Sequence, residues 1–329
     1  MPQADIAIDL GSSKIAVYKK DKGVIIKEPN LAAYDKDNDK IIAFGEEARQ
    51  AVHLRGGSVV AIRPVKTGLI SDYSVAEAML RYYLAKAMGR RTIRKPFVSL
   101  CLPGGTTSIE RRAIEEAAYQ VGARDVTVVE PMTAAAIGAG IDITRPFGNL
   151  VVDIGAGTTD IAVISLGSCV IRETLKIAGS HFDETISRVI RRNHHLFIDE
   201  SQSEEIKIRI GRAIRRPQAE AFSLTGRSVT TGLAETVSIS SEEVRIGLQD
   251  QTTRIVEAIH GVLEKTPPEL AADIAQRGIV LTGGGALLGG LEEKISDRTG
   301  INVMTAEDPE LCTAIGTGLY TKMMEAMED

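Results

Sequence analysis

Two carboxylates stand out because of where they sit. Asp9 follows the apolar run Ile6-Ala7-Ile8 and precedes Leu10-Gly11-Ser12-Ser13-Lys14. Asp153 follows Leu150-Val151-Val152 and precedes Ile154-Gly155-Ala156-Gly157-Thr158-Thr159-Asp160. Aspartate is a poor strand residue and its charge needs a partner, so a carboxylate at the end of a buried strand is costly for stability alone. The glycine turn after it presents consecutive backbone N–H groups as an anion nest, and the carboxylate is suited to holding the waters of a magnesium ion. Together these features read as a nucleotide-phosphate clamp. Either copy alone reads as well as a β-hairpin with an Asx-type turn. The repetition, in which each copy closes on an Ile-Ala-Val strand, favours the clamp and two related halves.

Three further places have the residue types for chemistry. Leu281-Thr282-Gly283-Gly284-Gly285-Ala286-Leu287 follows the strand Ile279-Val280-Leu281. It could admit a flat ring to the backbone, or it could be a crowded strand-to-helix turn that needs small residues. Glu130 ends the strand Val126–Val129 and precedes Pro131 and a small-residue helix from Met132 to Gly140. It could orient an attacking water, since phosphoryl transfer asks mainly for positioning and charge neutralisation, or it could be an ordinary helix-start acid. Glu204 and Lys207, three apart on a predicted helix, share a face and could hold a ribose or form a solvated ion pair.

The elements that must position these residues alternate between strands and helices, which predicts an α/β fold. Ser74 and Glu77 have capping-box spacing ahead of a helix that stops at Gly89, a second helix starts near Ser108 and closes at Gly122, and Ser241 opens the longest one, ended by Pro267-Pro268. Familiar alternatives are missing: there is no P-loop, no Gly-x-Gly-x-x-Gly, no His-Glu-x-x-His and no Gly-x-Ser-x-Gly elbow.

Composition bounds the rest. A chain of 329 residues with 25% charged residues and a net charge of -5 is globular, long enough for two lobes, and lacks the basic excess that nucleic-acid binding needs. The 3 cysteines are scattered and odd in number, which fits a reducing cytoplasm rather than a disulfide framework. The longest uncharged stretch, Gly278 to Leu291, falls short of the roughly 20 apolar residues of a spanning helix, and Met1-Pro2-Gln3-Ala4-Asp5 shows no secretion pattern.

In combination and order, the Asp-x-Gly hairpin, the Asp-Ile-Gly-x-Gly-Thr-Thr hairpin, the Glu-Pro helix and the Leu-Thr-Gly-Gly-Gly-Ala turn resemble the actin, sugar-kinase and heat-shock-chaperone ATPase superfamily. Ala61-Ile62-Arg63-Pro64, Glu130-Pro131-Met132, Glu264-Lys265-Thr266-Pro267-Pro268-Glu269-Leu270 and Arg277-Gly278-Ile279 narrow the resemblance to the MreB family of bacterial actins, including its Mbl-type paralogues. It extends over nearly the whole chain. What it implies is an actin-like fold of two lobes around a nucleotide cleft, with 1–142 plus 310–329 as the first lobe (small subdomain about 30–70) and 143–309 as the second (small subdomain about 180–245). It also implies ATP and Mg2+ as cofactors, slow ATP hydrolysis, head-to-tail protofilaments paired into double filaments, and maintenance of rod shape with membrane proteins of the wall-synthesis machinery. The alternative within the superfamily is a monomeric small-molecule kinase.

By motif position the resemblance assigns Ser12, Ser13 and Lys14 to the first phosphate loop and Ala156, Gly157 and Thr158 to the second. Glu204, Glu205, Ile206 and Lys207 fall at the ribose, Gly284, Gly285, Ala286 and Leu287 at the adenosine, Asp9 and Asp153 at the magnesium through water, and Glu130 at the hydrolytic water. Two departures concern the phosphates: the family usually has Thr-Ala-Asn where this chain has Ser12-Ser13-Lys14, and a glycine in place of Ala156. The family also implies a cytoplasmic protein lying on the inner face of the plasma membrane. Met88 and Ile93, flanked by Arg90, Arg91, Arg94 and Lys95, read by themselves as a solvated connection, and with the resemblance equally as a segment suited to shallow insertion among anionic headgroups.

Overall fold

The computed structural model describes residues 5–89 and 95–328, with side chains as far as residue 324. The chain divides into two compact units: Met1–Phe147 with Ile164–Cys169 and Glu310–Asp329, and Gly148–Val163 with Val170–Pro309.

The first unit begins with β1 (Ile6–Leu10), β2 (Lys14–Lys19) and β3 (Gly23–Pro29), followed by β4 (Ala32–Asp35), β5 (Lys40–Phe44), α1 (Gly45–Leu54), β6 (Val59–Ile62), β7 (Val65–Lys66) and β8 (Leu69–Ile70). It continues through α2 (Tyr73–Met88), β9 (Phe97–Cys101), α3 (Ser108–Val121), β10 (Asp125–Val129) and α4 (Pro131–Gly138). The second unit contains β11 (Asn149–Ile154), most of β12 (Thr159–Ser165) and β13 (Ser168–Leu175), whose adjoining ends fall in the first unit, then α5 (Gly179–His194), β14 (Leu196–Phe197), α6 (Glu200–Ile210), β15 (Ala221–Ser228) and β16 (Ala234–Ser240). It ends with α7 (Ser241–Lys265), α8 (Pro268–Arg277), β17 (Ile279–Thr282), a 3-10 turn Gly284–Leu287, α9 (Leu291–Thr299) and β18 (Val303–Thr305), and α10 (Cys312–Glu328) returns to the first unit.

The duplication read from the two aspartates is a duplication of topology. The five-stranded sheets run β10-β9-β1-β2-β3 and, reversed, β18-β17-β11-β12-β13, so each aspartate-bearing strand is central. β9 lies parallel to β1, and β17 parallel to β11. Asp9 is registered against Cys101, and Asp153 against Thr282. Central strands covered on both faces read as continuous apolar runs. β1 and β12 accordingly bury nearly every residue.

Helix boundaries follow from capping, with one correction. α2 begins at Tyr73 because Asp72, not Ser74, is its N-cap, accepting from the Val75 N–H at 3.1 Å. Glu77 pairs with Arg81 one turn on, instead of closing a capping box. α3 has a complete box between Thr107 and Glu110, and Gly122 ends it in the left-handed conformation. Ser240 caps α7 through Glu243 N–H. α4 consists almost wholly of small buried residues and lies backbone to backbone against α10. A methyl at Gly138 would strike the Cys312 carbonyl, and one at Gly316 the Ala134 carbonyl.

Candidate functional site

In the first unit, the turn between β1 and β2 is closed by the Gly11 N–H donating to Lys14 O at 3.1 Å. A methyl at Gly11 would lie 2.8 Å from that oxygen. Asn30, 1% exposed, holds the turn from behind: its N–H donates to Ser13 O at 2.8 Å, and its Nδ2 to Ser12 O at 3.1 Å and Val65 O at 2.9 Å. Ser12 Oγ accepts from the Gly68 N–H at 3.1 Å. In a trans peptide the C=O and the following N–H point in opposite directions. Anchoring the carbonyls of Ser12 and Ser13 on Asn30 therefore turns the N–H groups of Ser13 and Lys14 to the other side, as an anion nest requires. Asn30 escaped the sequence reading; its one signal is an amide directly after Pro29, opening the otherwise apolar Leu31-Ala32-Ala33.

The second unit repeats the device with a different anchor. Gly155 N–H donates to Thr158 O at 3.0 Å, while Gly155 O and Ala156 O accept from Gly179 N–H and Ser180 N–H at 3.0 and 2.9 Å. By the same trans-peptide argument, the N–H groups of Ala156 and Gly157 face away from α5. These bonds also explain how α5 starts without a capping side chain at Ala178, since the loop's carbonyls satisfy the helix's first donors. Gly179 permits the approach: a methyl there would lie 3.3 Å from Gly155 O.

The charged groups are held firmly. Burial pushes the Asp153 carboxyl up to about 6, against the hydrogen bond from Thr282 Oγ1 at 2.8 Å, and the Asp160 charge adds to the rise. Asp160 accepts from Thr158 Oγ1, Arg172 and Thr174 Oγ1 at 2.9, 2.7 and 2.6 Å, which commits the Thr158 hydroxyl to the loop's own support. A partly buried carboxylate that resists ionisation fits a place reserved for a cation, and magnesium commonly takes one or two carboxylates through water with the remaining ligands from phosphate. Among the described residues no group of three or more His, Cys, Asp or Glu could hold a metal without such help.

On α6, Lys207 Nζ donates to Asp183 Oδ2 at 2.8 Å and to Gly179 O at 3.3 Å, tying α6 to the start of α5. Burial raises Asp183 to about 6, Lys207 opposes the rise, and Glu204 and Glu200 add to it. Glu204 and Glu205 are exposed, whereas the Ile206 side chain is wholly buried in the core, leaving only its backbone for any ligand. In the glycine-rich turn, methyls at Gly283 and Gly285 would collide with Ile154 of β11, so these two glycines serve the crowded turn. Gly284 and Leu287 are exposed and Ala286 is buried.

Glu130 is the N-cap of α4, its Oε2 accepting from Thr133 N–H at 2.8 Å and Thr133 Oγ1 at 3.3 Å. Asp9 is partly buried beside Ala16 of β2. Met88 is half-buried, with part of its side chain packed against the first unit's core, and Ile93 with Arg90, Arg91 and Arg94 lies outside the described residues. Among the described residues no helix is long and apolar enough to cross a membrane.

The family model described as "MreB/Mbl protein" matches residues 3–329. The chain belongs to the MreB/Mbl family. It is 44% identical over 323 residues to the cell shape-determining protein Mbl of Bacillus subtilis, covering 98% of this chain and 97% of that one. With the cell shape-determining protein MreB of Escherichia coli it shares 40% over 326 residues, 98% and 94% of the two chains. The crystal structure of MreB5 of Spiroplasma citri bound to ADP superposes with a TM-score of 0.91 at 34% identity, covering 98% of each chain. The fold is thus the actin-like α/β fold of MreB proteins, with its duplicated sheet.

Proposed function

We propose that this chain is an ATP-binding, filament-forming bacterial actin homologue that helps determine rod cell shape. The observation that carries the reading is the repeated turn, closed the same way at Gly11 and Gly155, with its carbonyls tied back and two N–H groups turned outward in each copy. Such nests select phosphate oxygens. MreB5, 34% identical, was crystallised with ADP, and the Mbl and MreB relatives are named for cell shape.

In this reading Ser12, Ser13, Lys14, Ala156, Gly157 and Thr158 receive the phosphates, Thr158 through its backbone. Glu204 and Lys207 hold the ribose, with Glu205 and the Ile206 backbone beside them, and Gly284, Gly285, Ala286 and Leu287 border the base. Asp153, with Asp9, holds Mg2+ through water, and the ion neutralises phosphate charge when bound. Glu130 presents a carboxylate already oriented by the α4 N-terminus to a hydrolytic water, which supports slow hydrolysis to ADP and phosphate. Self-association into paired protofilaments, attachment to the inner face of the cytoplasmic membrane and contact with wall-synthesis proteins complete the proposal. The test is high-speed sedimentation with Mg-ATP against a nucleotide-free sample. A nucleotide-dependent pellet above a critical concentration is expected; protein that stays soluble while phosphorylating a small acceptor would replace the filament with the kinase.

A further inference from the structure

Lys14, the last residue of the first loop, has its ammonium already engaged. Its Nζ lies 3.0 Å from both carboxylate oxygens of Glu310, and Lys27 Nζ also pairs with Glu310 Oε2. The three side chains are 41%, 28% and 42% exposed for Lys14, Glu310 and Lys27, so solvent and ligand can reach them. The Glu310 backbone is fixed on both sides: Pro309 O accepts from Gly283 N–H at 2.8 Å, and α10 begins at Cys312. Burial opposes its ionisation, but the hydrogen bonds from Lys27 and Lys14 hold its carboxyl below the usual range.

We propose that Glu310 is the positioning residue for Lys14, holding its ammonium away from the first loop until a phosphate takes it over, so that this pair tunes affinity for the nucleotide's phosphates. The inference rests on the nucleotide reading above. Lys14's own N–H lines the nest, so a phosphate seated there lies within reach of its side chain. The second lysine makes the exchange feasible. One carboxylate serving two ammoniums leaves a net positive cluster, and when Lys14 turns to phosphate, Lys27 still neutralises Glu310, so no half-buried carboxylate is stranded. A structure with Lys14 alone on Glu310 would resist that transfer.

The proposal predicts effects of opposite sign at neighbouring positions. Titration calorimetry with Mg-ADP, which excludes turnover, is run on the full chain and on Glu310→Gln, Lys27→Gln, Lys14→Gln and the Lys14→Gln/Glu310→Gln pair, each checked by thermal melting. Glu310→Gln should bind about fivefold tighter, the scale of a partly exposed ion pair, with the gain shrinking in high salt. Lys27→Gln should bind more weakly, because Glu310 then holds Lys14 alone. In the Lys14→Gln background, Glu310→Gln should change affinity by less than about twofold, as expected once the coupled partner is gone. A purely structural role would shift Glu310→Gln and Lys27→Gln in the same direction, and that result, or unchanged affinity in Glu310→Gln, overturns the proposal. If the unsubstituted chain binds no Mg-ADP, the nucleotide reading itself falls, and this inference with it.

Discussion

Asn30 offers the sharpest test of how the first loop is built. Replacing it by alanine removes two hydrogen bonds from an amide that is 1% exposed and takes away the donor that Ser12 O shares with Val65 O. Each lost bond is worth about 1 kcal/mol, and more where a carbonyl is left buried without a donor, so the gross cost is about 2–4 kcal/mol. Asn30 Oδ1 makes no hydrogen bond among the described residues, and deleting it returns part of that cost. A net loss of about 2 kcal/mol should lower the melting temperature by roughly 4–8 °C for a unit of this size. Asn30→Asp should be worse, because it aims an acceptor at two carbonyls instead of a donor. Differential scanning calorimetry measures the stabilities, and Mg-ADP titration of the folded fraction should show affinity reduced about tenfold, since the Ser13 and Lys14 N–H groups are no longer held in line. Asn30→Ala melting within a degree of the parent, with Asn30→Asp no worse than alanine, would refute the anchoring argument.

Other expectations follow from packing and charge. Gly138→Ala drives a methyl into the Cys312 carbonyl where α4 and α10 touch, and should cost more than about 3 kcal/mol or abolish soluble expression. Gly261→Ala, where nothing lies within 4 Å on α7, serves as its control and should stabilise by about 0.5–1 kcal/mol in urea melts. Asp153 and Asp183 are both raised to about 6 by burial, so between pH about 4 and 6 the folded chain holds protons that the unfolded chain releases. Nucleotide-free stability should therefore fall as pH rises through that window; carboxylates held low, such as Glu28, act at more acid pH. Asp153→Asn removes its share of the slope and at pH 7.5 should be more stable than the parent by about 1–3 kcal/mol while losing the gain from Mg-nucleotide. Melts across pH 4.5–7.5 with and without Mg-ADP check both signs.

What was legible in the chain was local. A strand ending in aspartate, a glycine turn and a second strand announce themselves within about ten residues, and the second copy at Asp153 made the first credible, down to the same closing hydrogen bond. Helix stops at Gly122 and Pro267 and the shared face of Glu204 and Lys207 were likewise readable, because capping and helical period act over one turn. Contacts between distant segments were not. Asp72 took the cap expected of Ser74, a matter of two residues that propensity alone does not separate. Lys207 shares a face with Glu204, and only the packing of α6 on α5 shows that it also reaches Asp183. The glycines at 283 and 285 read equally as a ligand-facing or a crowded turn, and only the fold shows that β11 lies where their Cβ atoms would be. Asn30 and Glu310 carry no motif at all; they matter because folding carries them to Ser12 and Lys14, the second across 296 positions of chain. Residue type and spacing therefore determined which groups could do chemistry here. Tertiary packing decided which of them are held, by what, and which way their N–H groups and charges face, because a buried polar group must find its partner wherever the fold supplies one.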